Sequence, residues 1–198
     1  MGQIDPATLE FYTNRAPHYT FSSAQSHSRD LDAFLDRLEP GALVLELGCG
    51  GGRDSNRMRE HGFVIDATDG VPAMAKLANE RFDLGARVLR FDELAERARY
   101  DAIWAHATLL HCPRDELPDA LARIHRALKP GGFHYASYKL GAGEGRDLLG
   151  RLHNFPSEDW IVSRYVEAGF ALVEHPVRPG MASDGTQRDW IHITAKKA

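Results

Sequence analysis

The sequence predicts an α/β protein with a doubly wound, mostly parallel sheet of seven strands. Two observations predict the sheet and its covering helices. Short apolar runs alternate with helix-like segments from about residue 41 onward, and a glycine-rich turn at 48–52 follows the first run. Such alternation is typical of parallel sheets that carry helices on both faces. A third observation concerns the last two apolar runs, which have no clear helix between them. We therefore expect an antiparallel hairpin at one edge.

The strands and helices of this fold follow from the runs taken in order. Apolar runs of strand length predict strands at 42–47, 63–68, 87–91, 100–105, 133–138, 170–174 and 190–194. The segments between them predict helices at 53–61, 72–81, 92–97, 116–128 and 157–168. Pro72 stands at the first position of one helix, where proline is favoured. The glycine-rich segment 141–150 is expected to be a mobile loop over one end of the sheet.

Two further helices are predicted before the alternating pattern, at 6–15 and 28–38. Pro17 is expected to end the first of them. Because these helices fall outside the alternation, we expect them to cap the open end of the cleft. The length of 198 residues suits one domain, with a helical cap at 1–40 and the core at 41–198.

Composition narrows the function classes. The formal net charge is −4, which disfavours binding along a nucleic-acid backbone. No run is apolar enough for a membrane helix, and no secretory signal is visible. Cys49 and Cys112 form no CxxC pair, so we expect a reducing, cytoplasmic setting. His106 and His111 are five residues apart, a poor spacing for a metal pair on a helix, and we predict no metal. The oligomeric state stays open.

The glycine turn after the first strand is the first candidate binding element. Its order is Glu46, Leu47, then Gly48-Cys49-Gly50-Gly51-Gly52. Glycines let the backbone turn tightly and approach a ligand where a Cβ would collide. A dinucleotide-binding fingerprint would need its third glycine at position 53, which is Arg53. An ordinary tight turn without a ligand is the alternative.

An acid stands at the end of the second strand. Asp69 lies about 20 residues after the glycine turn, where a carboxylate can accept from both hydroxyls of a ribose. Asp66 is the competitor, but the strand phase and the following Gly70 favour Asp69. The alternative role is a helix cap ahead of Pro72.

The fourth strand and the helix after it carry the most specific pattern. Residues 100–111 read YDAIWAHATLLH, and 128–132 read LKPGG. Together with the Glu46–Gly52 turn, this pattern resembles the class I S-adenosylmethionine-dependent methyltransferases, which have a Rossmann-like fold. Within that class it is most similar to the tellurite-resistance-type or generic methyltransferase-domain branch. The resemblance covers about residues 41–138.

The resemblance implies that S-adenosylmethionine is the cofactor and S-adenosylhomocysteine its product. It implies that the backbone at Ala105 and His106 meets the methionine amine and that Leu110 lines the adenine side. Asp92 would face the adenine, and the alternative is that Asp92 only caps a helix. The full set expected at the cofactor is Tyr12, Tyr19, Glu46, Gly48, Cys49, Gly50, Gly52, Arg53, Asp69, Gly70, Asp92, Glu93, Leu94, Ala105, His106 and Leu110. Arg53 is equally compatible with a solvent-exposed helix position.

The predicted reaction is transfer of a methyl group to O, N, S or a metalloid of a small acceptor by in-line displacement. A general base is needed only for a protonated nucleophile, and His106 and His111 are the candidates. Tyr12 and Arg146 are candidates for the acceptor pocket, and the alternative for each histidine is hydrogen-bonded structure. Two other functions stay open: a non-catalytic cofactor-binding interaction module, and a nicotinamide-dependent dehydrogenase. The acceptor itself cannot be derived from the sequence.

Overall fold

A computed structural model describes residues 4–22, 28 and 30–198, with the backbone alone for 15 and 17–22. The helices in this part of the chain are α1 (Pro6–Ser22), α2 (Leu31–Leu35), α3 (Arg53–Glu60), α4 (Pro72–Phe82), α5 (Leu117–Ala127) and α6 (Glu158–Glu167). The strands are β1 (Leu43–Leu47), β2 (Val64–Asp69), β3 (Arg87–Val88), β4 (Tyr100–Ala105), β5 (Leu128–Lys139), β6 (Gly143–Arg146), β7 (Leu152–Phe155), β8 (Phe170–Glu174), β9 (Val177–Met181) and β10 (Gln187–Lys197). None of the described helices is long and apolar enough to cross a bilayer.

The main sheet confirms the predicted fold class. Its order is β3-β2-β1-β4-β5-β10-β8, with β9 added beside β10. The first five strands are parallel, while β10 runs antiparallel to β5, β8 and β9. The strand order reverses between β1 and β4, and ligands of open α/β sheets bind outside the carboxyl ends of the strands at such a reversal. The fold therefore places a crevice above β1 and β4.

The edge of the sheet differs in detail from the sequence prediction. The sheet has eight strands, because β9 pairs with the first half of β10 and forms the hairpin with it. β8 lies on the same side of β10 and pairs with its second half. β9 carries Pro179 and Gly180, and proline is tolerated mainly on edge strands. Its sequence therefore lacked the alternating apolar signal that predicts a strand.

Three local predictions are corrected. The third strand is confined to Arg87–Val88, and Phe91–Glu93 form a single 3₁₀ turn where a helix at 92–97 was predicted. The glycine-rich segment predicted as a loop is instead the β6–β7 hairpin, paired from Gly143 with Phe155 to Arg146 with Leu152. Main-chain pairing holds this hairpin, so its glycines gave no side-chain pattern to recognise.

The N-terminal helices also depart from expectation. α1 continues past Pro17 to Ser22, because the buried Ala16 anchors this part of the helix against Val71 and Met74 of the α4 entry. α2 is shorter than predicted and lies against one face of the sheet, where Phe34 contacts the Trp104 ring at 5.1 Å. α1 therefore borders the crevice, whereas α2 does not cover it.

Two apolar layers hold the sheet. On one face, α5 and α6 bury a leucine-rich layer against β4, β5 and β10, and its centre includes Leu117, Leu121 and Ile124. These residues share one helix face at the spacing read from the sequence. On the other face, α2 and Met58 of α3 pack on Trp104. Both layers leave the carboxyl ends of β1 and β4 open.

Candidate functional site

A first cavity lies above the carboxyl ends of β1, β2 and β4 and encloses about 890 Å³, including its open mouth. Its lining combines the glycine turn, the end of β2, the start of α1 and the segment after β4. The described lining residues are Ile4, Thr8, Tyr12, Gly48, Gly50, Asp69, Gly70, Val71, Met74, Leu89, Arg90, Phe91, Asp92, Ala107, Thr108, His111, Pro113 and Glu116.

The glycine turn forms a cradle that a side chain would fill. Gly48 has φ +74°, and a Cβ there would lie 2.5 Å from the Cβ of Thr108 and closer still to its hydroxyl. Gly50 has φ +54°, and a Cβ there would approach only the Met74 methyl, at 4.0 Å. Gly48 therefore permits close packing beneath the cavity, while Gly50 keeps the backbone open toward a ligand.

Asp69 is held in place by the same turn. One carboxylate oxygen accepts from the Gly50 N–H at 2.9 Å, and the other accepts from the Val71 N–H at 2.8 Å. The side chain is 8% exposed, and burial outweighs these two hydrogen bonds, raising the pKa of Asp69 to about 6. An ionised carboxylate has about four acceptor sites, so two remain for a ligand. This oriented acceptor fits a vicinal diol such as a ribose.

Glu46 lies behind the turn and does not line the cavity. Its carboxyl accepts from the Ser55 hydroxyl in the first turn of α3. Burial, followed by the nearby Asp54 and Asp69, raises the pKa of Glu46 to about 8. Glu46 therefore connects β1 to α3 in its protonated form near neutral pH, and this placement differs from the direct cofactor contact expected from the sequence.

The segment after β3 forms an apolar end of the cavity. Phe91 and Asp92 both line it. Glu93 is absent from the described lining and ion-pairs with Arg90 at 3.1 Å. Leu94 is fully buried in the core layer under α5. The 3₁₀ turn thus presents Phe91 to the cavity, whereas the sequence analysis expected Leu94, three residues later, at the cofactor.

A second cavity of about 850 Å³ adjoins the first. Tyr12, Ala107 and His111 line both. Its other described lining residues are His106, Leu110, Lys139, Arg151, His153, Met181, Ala182, Ser183 and Trp190. Two lysine or arginine side chains and no aspartate or glutamate belong to this described lining. The cavity is therefore basic, and the α1 residue Tyr12 stands between it and the first cavity.

The shared wall is built on a hydrogen-bonded chain. His111 Nδ1 lies 2.8 Å from the carbonyl of Leu152, which can only accept, so Nδ1 carries the proton in the neutral ring. Nε2 then accepts from the Tyr12 hydroxyl at 2.8 Å. Arg151 donates to the same phenol oxygen at 2.9 Å. Burial holds the pKa of His111 well below its usual value, so the ring stays neutral and orients Tyr12.

The other predicted histidine belongs to the second cavity. His106 lies at the end of β4, and its ring stacks on Trp104 with centroids 6.0 Å apart. Burial lowers the pKa of His106, so it too is neutral near pH 7. Leu110, predicted to lie at the adenine, also lines this second cavity and is absent from the described lining of the first.

Two predicted contacts, Arg146 and Arg53, lie away from both cavities, and a third cannot be placed. Arg146 forms an exposed ion pair with Asp5 at 2.7 Å, which ties β6 to the start of α1 and leaves the acceptor pocket without it. Arg53 ion-pairs with Asp54. The predicted Tyr19 contact cannot be placed, because that side chain lies outside the described residues.

Three residues near the turn serve packing instead. Gly52 faces α4, where a Cβ would lie 2.6 Å from a methyl group of Leu84. Cys49 is buried in a small alanine-rich cluster, and burial raises the pKa of its thiol. Ala105 is fully buried on β4 beside Ala136. None of the three belongs to the described lining of either cavity.

The sequence reasoning missed the basic residues of the second cavity. Lys139 ends β5, directly after the fifth predicted strand, while Arg151 directly precedes β7 and His153 lies within it. The available signal was a charged residue directly after an apolar strand, together with the R-x-H spacing just after the segment predicted as a loop. No group of three or more histidine, cysteine or acidic side chains converges as metal ligands would among the described residues.

Comparison with known proteins agrees with this geometry. A family model described as a methyltransferase domain matches residues 44–132. A malonyl-[acyl-carrier protein] O-methyltransferase of Enterobacter lignolyticus is 32% identical over 135 residues, covering 64% of this chain and 51% of that protein. A ubiquinone biosynthesis O-methyltransferase of Xanthomonas campestris is 34% identical over 108 residues, covering 50% and 43%. The chain thus spans about half the length of these curated relatives.

Solved structures share the fold over a larger part of the chain. A Burkholderia thailandensis 1,6-didemethyltoxoflavin-N1-methyltransferase, with 1,6-didemethyltoxoflavin and S-adenosylhomocysteine bound, is 23% identical and has a TM-score of 0.77. It covers 100% of this chain and 92% of its own. TehB from Haemophilus influenzae is 15% identical, with a TM-score of 0.74 over 93% of this chain and 67% of its own. Residues 44–132 thus match a methyltransferase domain, and the chain has the fold of a solved methyltransferase.

Proposed function

We propose that this chain is an enzyme that transfers the methyl group of S-adenosylmethionine to a small-molecule acceptor held in the second cavity. The observation that carries the proposal is the wall of Tyr12, Ala107 and His111, which faces both cavities. Displacement requires the reacting atoms to approach to about 3–3.5 Å in line. Two cavities in contact meet this requirement, whereas a single cofactor pocket with a closed wall would not.

The first cavity is the proposed cofactor site. S-adenosylmethionine supplies a sulfonium-bound methyl group that is already activated, so the protein has mainly to orient the partners and exclude water. In the proposed arrangement the backbone at Gly50 faces the cofactor and Asp69 accepts from the ribose hydroxyls. Phe91 and Leu89 offer an apolar surface for the adenine, and Asp92 stands beside it.

The shared wall sets the proposed acceptor chemistry. His111 is neutral and weakly basic because it is buried, so storing a proton on it is unfavourable. Its Nε2 instead accepts the hydrogen bond of the Tyr12 hydroxyl, which leaves the phenol oxygen to accept hydrogen bonds, one of them from Arg151. Tyr12 therefore positions the methyl acceptor. The arrangement favours nucleophiles that react without first giving a proton to a strong base.

The proposal is tested first through the cofactor. Calorimetry should give saturable binding of S-adenosylhomocysteine to the full chain. Asp69→Asn should weaken that binding about tenfold or more, since hydrogen bonds to a charged group contribute about 1.5–3 kcal/mol. Asp83→Asn is the matched control, because Asp83 is exposed at the end of α4 and asparagine tolerates its left-handed backbone.

The second test is turnover. Methyl-labelled S-adenosylmethionine, incubated with small alcohols, amines, thiols and carboxylates, should give labelled product that mass spectrometry identifies. Cofactor binding without transfer to any of these acceptors would refute the enzymatic proposal and favour the binding-module alternative. Loss of S-adenosylhomocysteine binding from the wild type would refute the site itself.

The finer placement within the family stays a prediction. The tellurite-resistance-type branch rests on the sequence pattern after β4, since the likeness to TehB concerns the fold alone. A small acceptor, in place of a nucleic acid, is supported by the second cavity and by the net charge of −4.

A further inference from the structure

We infer that the second cavity binds an anionic group of the acceptor, a carboxylate or a phosphate, through Lys139. The inference rests on the proposed function, because it describes the acceptor of that reaction. It specifies a recognition element and the charge of the molecule recognised, which the turnover proposal leaves open.

Lys139 is a buried cation without a paired anion. Its side chain is 2% exposed and lines the cavity. Within the described residues its ammonium makes no hydrogen bond or ion pair, and the ring of Trp190 lies 5.5 Å away. Burial is the main cause that lowers the pKa of Lys139 to about 8, followed by the charge of Arg151. A buried charge is costly unless a partner compensates it.

Asp184 and Asp147 both raise the pKa of Lys139, but neither carboxylate forms an ion pair with it. Asp147 accepts from the Arg151 guanidinium, from the backbone N–H groups of Leu149 and Arg151, and from His153. Asp184 accepts from the hydroxyl and the backbone N–H of Thr186 through one oxygen, and its other oxygen is buried without a hydrogen-bond partner among the described residues. The surroundings therefore leave the ammonium a partner short.

His153 supplies a second incomplete position in the same cavity. Its Nε2 lies 3.1 Å from an Asp147 oxygen, so that nitrogen carries the proton. Nδ1 is then a bare acceptor, buried and without a hydrogen-bond partner among the described residues. Buried polar atoms are nearly always paired. A ligand that carries both an anion and a hydrogen-bond donor would satisfy Lys139 and His153 together.

The position of Lys139 assigns the role of the anion. Lys139 lines the second cavity and is absent from the described lining of the first, whereas Tyr12 and His111 line both. The anionic group therefore anchors the acceptor at a distance from the shared wall, where the methylated atom must lie. Recognition of charge and transfer of the methyl group are separated within one molecule.

The test measures binding of simple probes to the full chain by calorimetry, with and without S-adenosylhomocysteine. Benzoate and phenyl phosphate represent the two anions, and benzamide is the neutral control. At least one anion should bind tenfold or more tightly than benzamide, and the better of the two identifies the group. Lys139→Met should remove this preference, while Lys76→Met, on the exposed face of α4, should keep it.

A second variant keeps the inference open to refutation if Lys139→Met does not fold. Asp184→Asn removes the carboxylate whose charge acts most strongly on Lys139. This variant should bind the anion several-fold more tightly. Equal binding of benzoate, phenyl phosphate and benzamide, or binding of none, overturns the inference, as does an anion preference that survives in Lys139→Met. These results are independent of the cofactor titration, since anion binding without S-adenosylhomocysteine binding would refute the proposed function alone.

Discussion

Replacing Gly48 by alanine tests whether the cradle beneath the first cavity depends on the missing side chain. Gly48 has φ +74°, and the new Cβ would lie 2.5 Å from the Thr108 Cβ. The left-handed backbone costs a non-glycine residue about 1–2 kcal/mol, and overpacking costs about 1–3 kcal/mol. The free energy of unfolding should therefore fall by about 2–5 kcal/mol, a large part of a typical domain's stability.

Gly41 is the matched control, because it separates strain from collision. Its φ is +76°, and no described atom lies within 4 Å of an added Cβ. Gly41→Ala should therefore cost only the backbone part, about 1–2 kcal/mol. Urea unfolding followed by circular dichroism measures both variants. A second control pairs Gly48→Ala with Thr108→Gly, which removes the colliding atoms and should recover about 1–3 kcal/mol.

Two results would refute this reasoning. If Gly48→Ala is no more destabilising than Gly41→Ala, the predicted collision does not exist. If the effects of Gly48→Ala and Thr108→Gly simply add, the two residues are not coupled. S-adenosylhomocysteine affinity should fall in Gly48→Ala and be retained in Gly41→Ala, since only Gly48 lines the cavity.

Three further predictions concern the two cavities. Because burial raises the pKa of Asp69 to about 6, S-adenosylhomocysteine should bind more weakly below pH 6, and Asp69→Asn should flatten this profile in calorimetry. The raised pKa also contributes to the stability of the ligand-free protein below pH 4, and this contribution is lost as the pH rises through 6. Over this pH range the free energy of unfolding in urea should therefore decline less in Asp69→Asn than in the wild type. Tyr12→Phe should slow methyl transfer about ten- to hundredfold in a labelled-cofactor assay, since hydrogen bonds to a charged group contribute about 1.5–3 kcal/mol; an unchanged rate would contradict its positioning role. Leu94→Ala should lower stability by about 2–5 kcal/mol with cofactor affinity intact, whereas Phe91→Ala should weaken cofactor binding, and exchanged effects would contradict the placement of these two side chains.

Part of the lining of the first cavity could be predicted from the sequence because its signals are local. A buried strand followed by glycines at 48 and 50 specifies a close-approach turn within ten residues, and the structure gives both glycines positive φ. Asp69 could be placed because parallel strands bring their carboxyl ends to one edge of the sheet. Leu94 was expected at the cavity in place of Phe91, because a 3₁₀ turn orients successive side chains differently from the α-helix that the sequence favoured.

The second cavity could not be predicted from the sequence, because it depends on contacts between distant segments. Tyr12 and Arg151 are 139 residues apart in the chain, yet they share a hydrogen bond at 2.9 Å. The β6–β7 hairpin that brings Arg151 into place is paired through glycine-rich backbone. Neither feature leaves a periodic pattern in the sequence, so the segment resembled an unstructured loop. For the same reason the position of Lys139 in this cavity could not be predicted.

The central position of β10 sets an order on the folding of this chain. Within the described residues, β8 and β9 join the sheet only through β10. Both strands precede β10 in the chain and are therefore synthesised before it. The β5–β10 ladder joins residues as far apart as Phe133 and Lys196, and such long loops close slowly. During synthesis β8 and β9 therefore wait as unpaired edges, and Pro179 protects β9 from premature association with other chains.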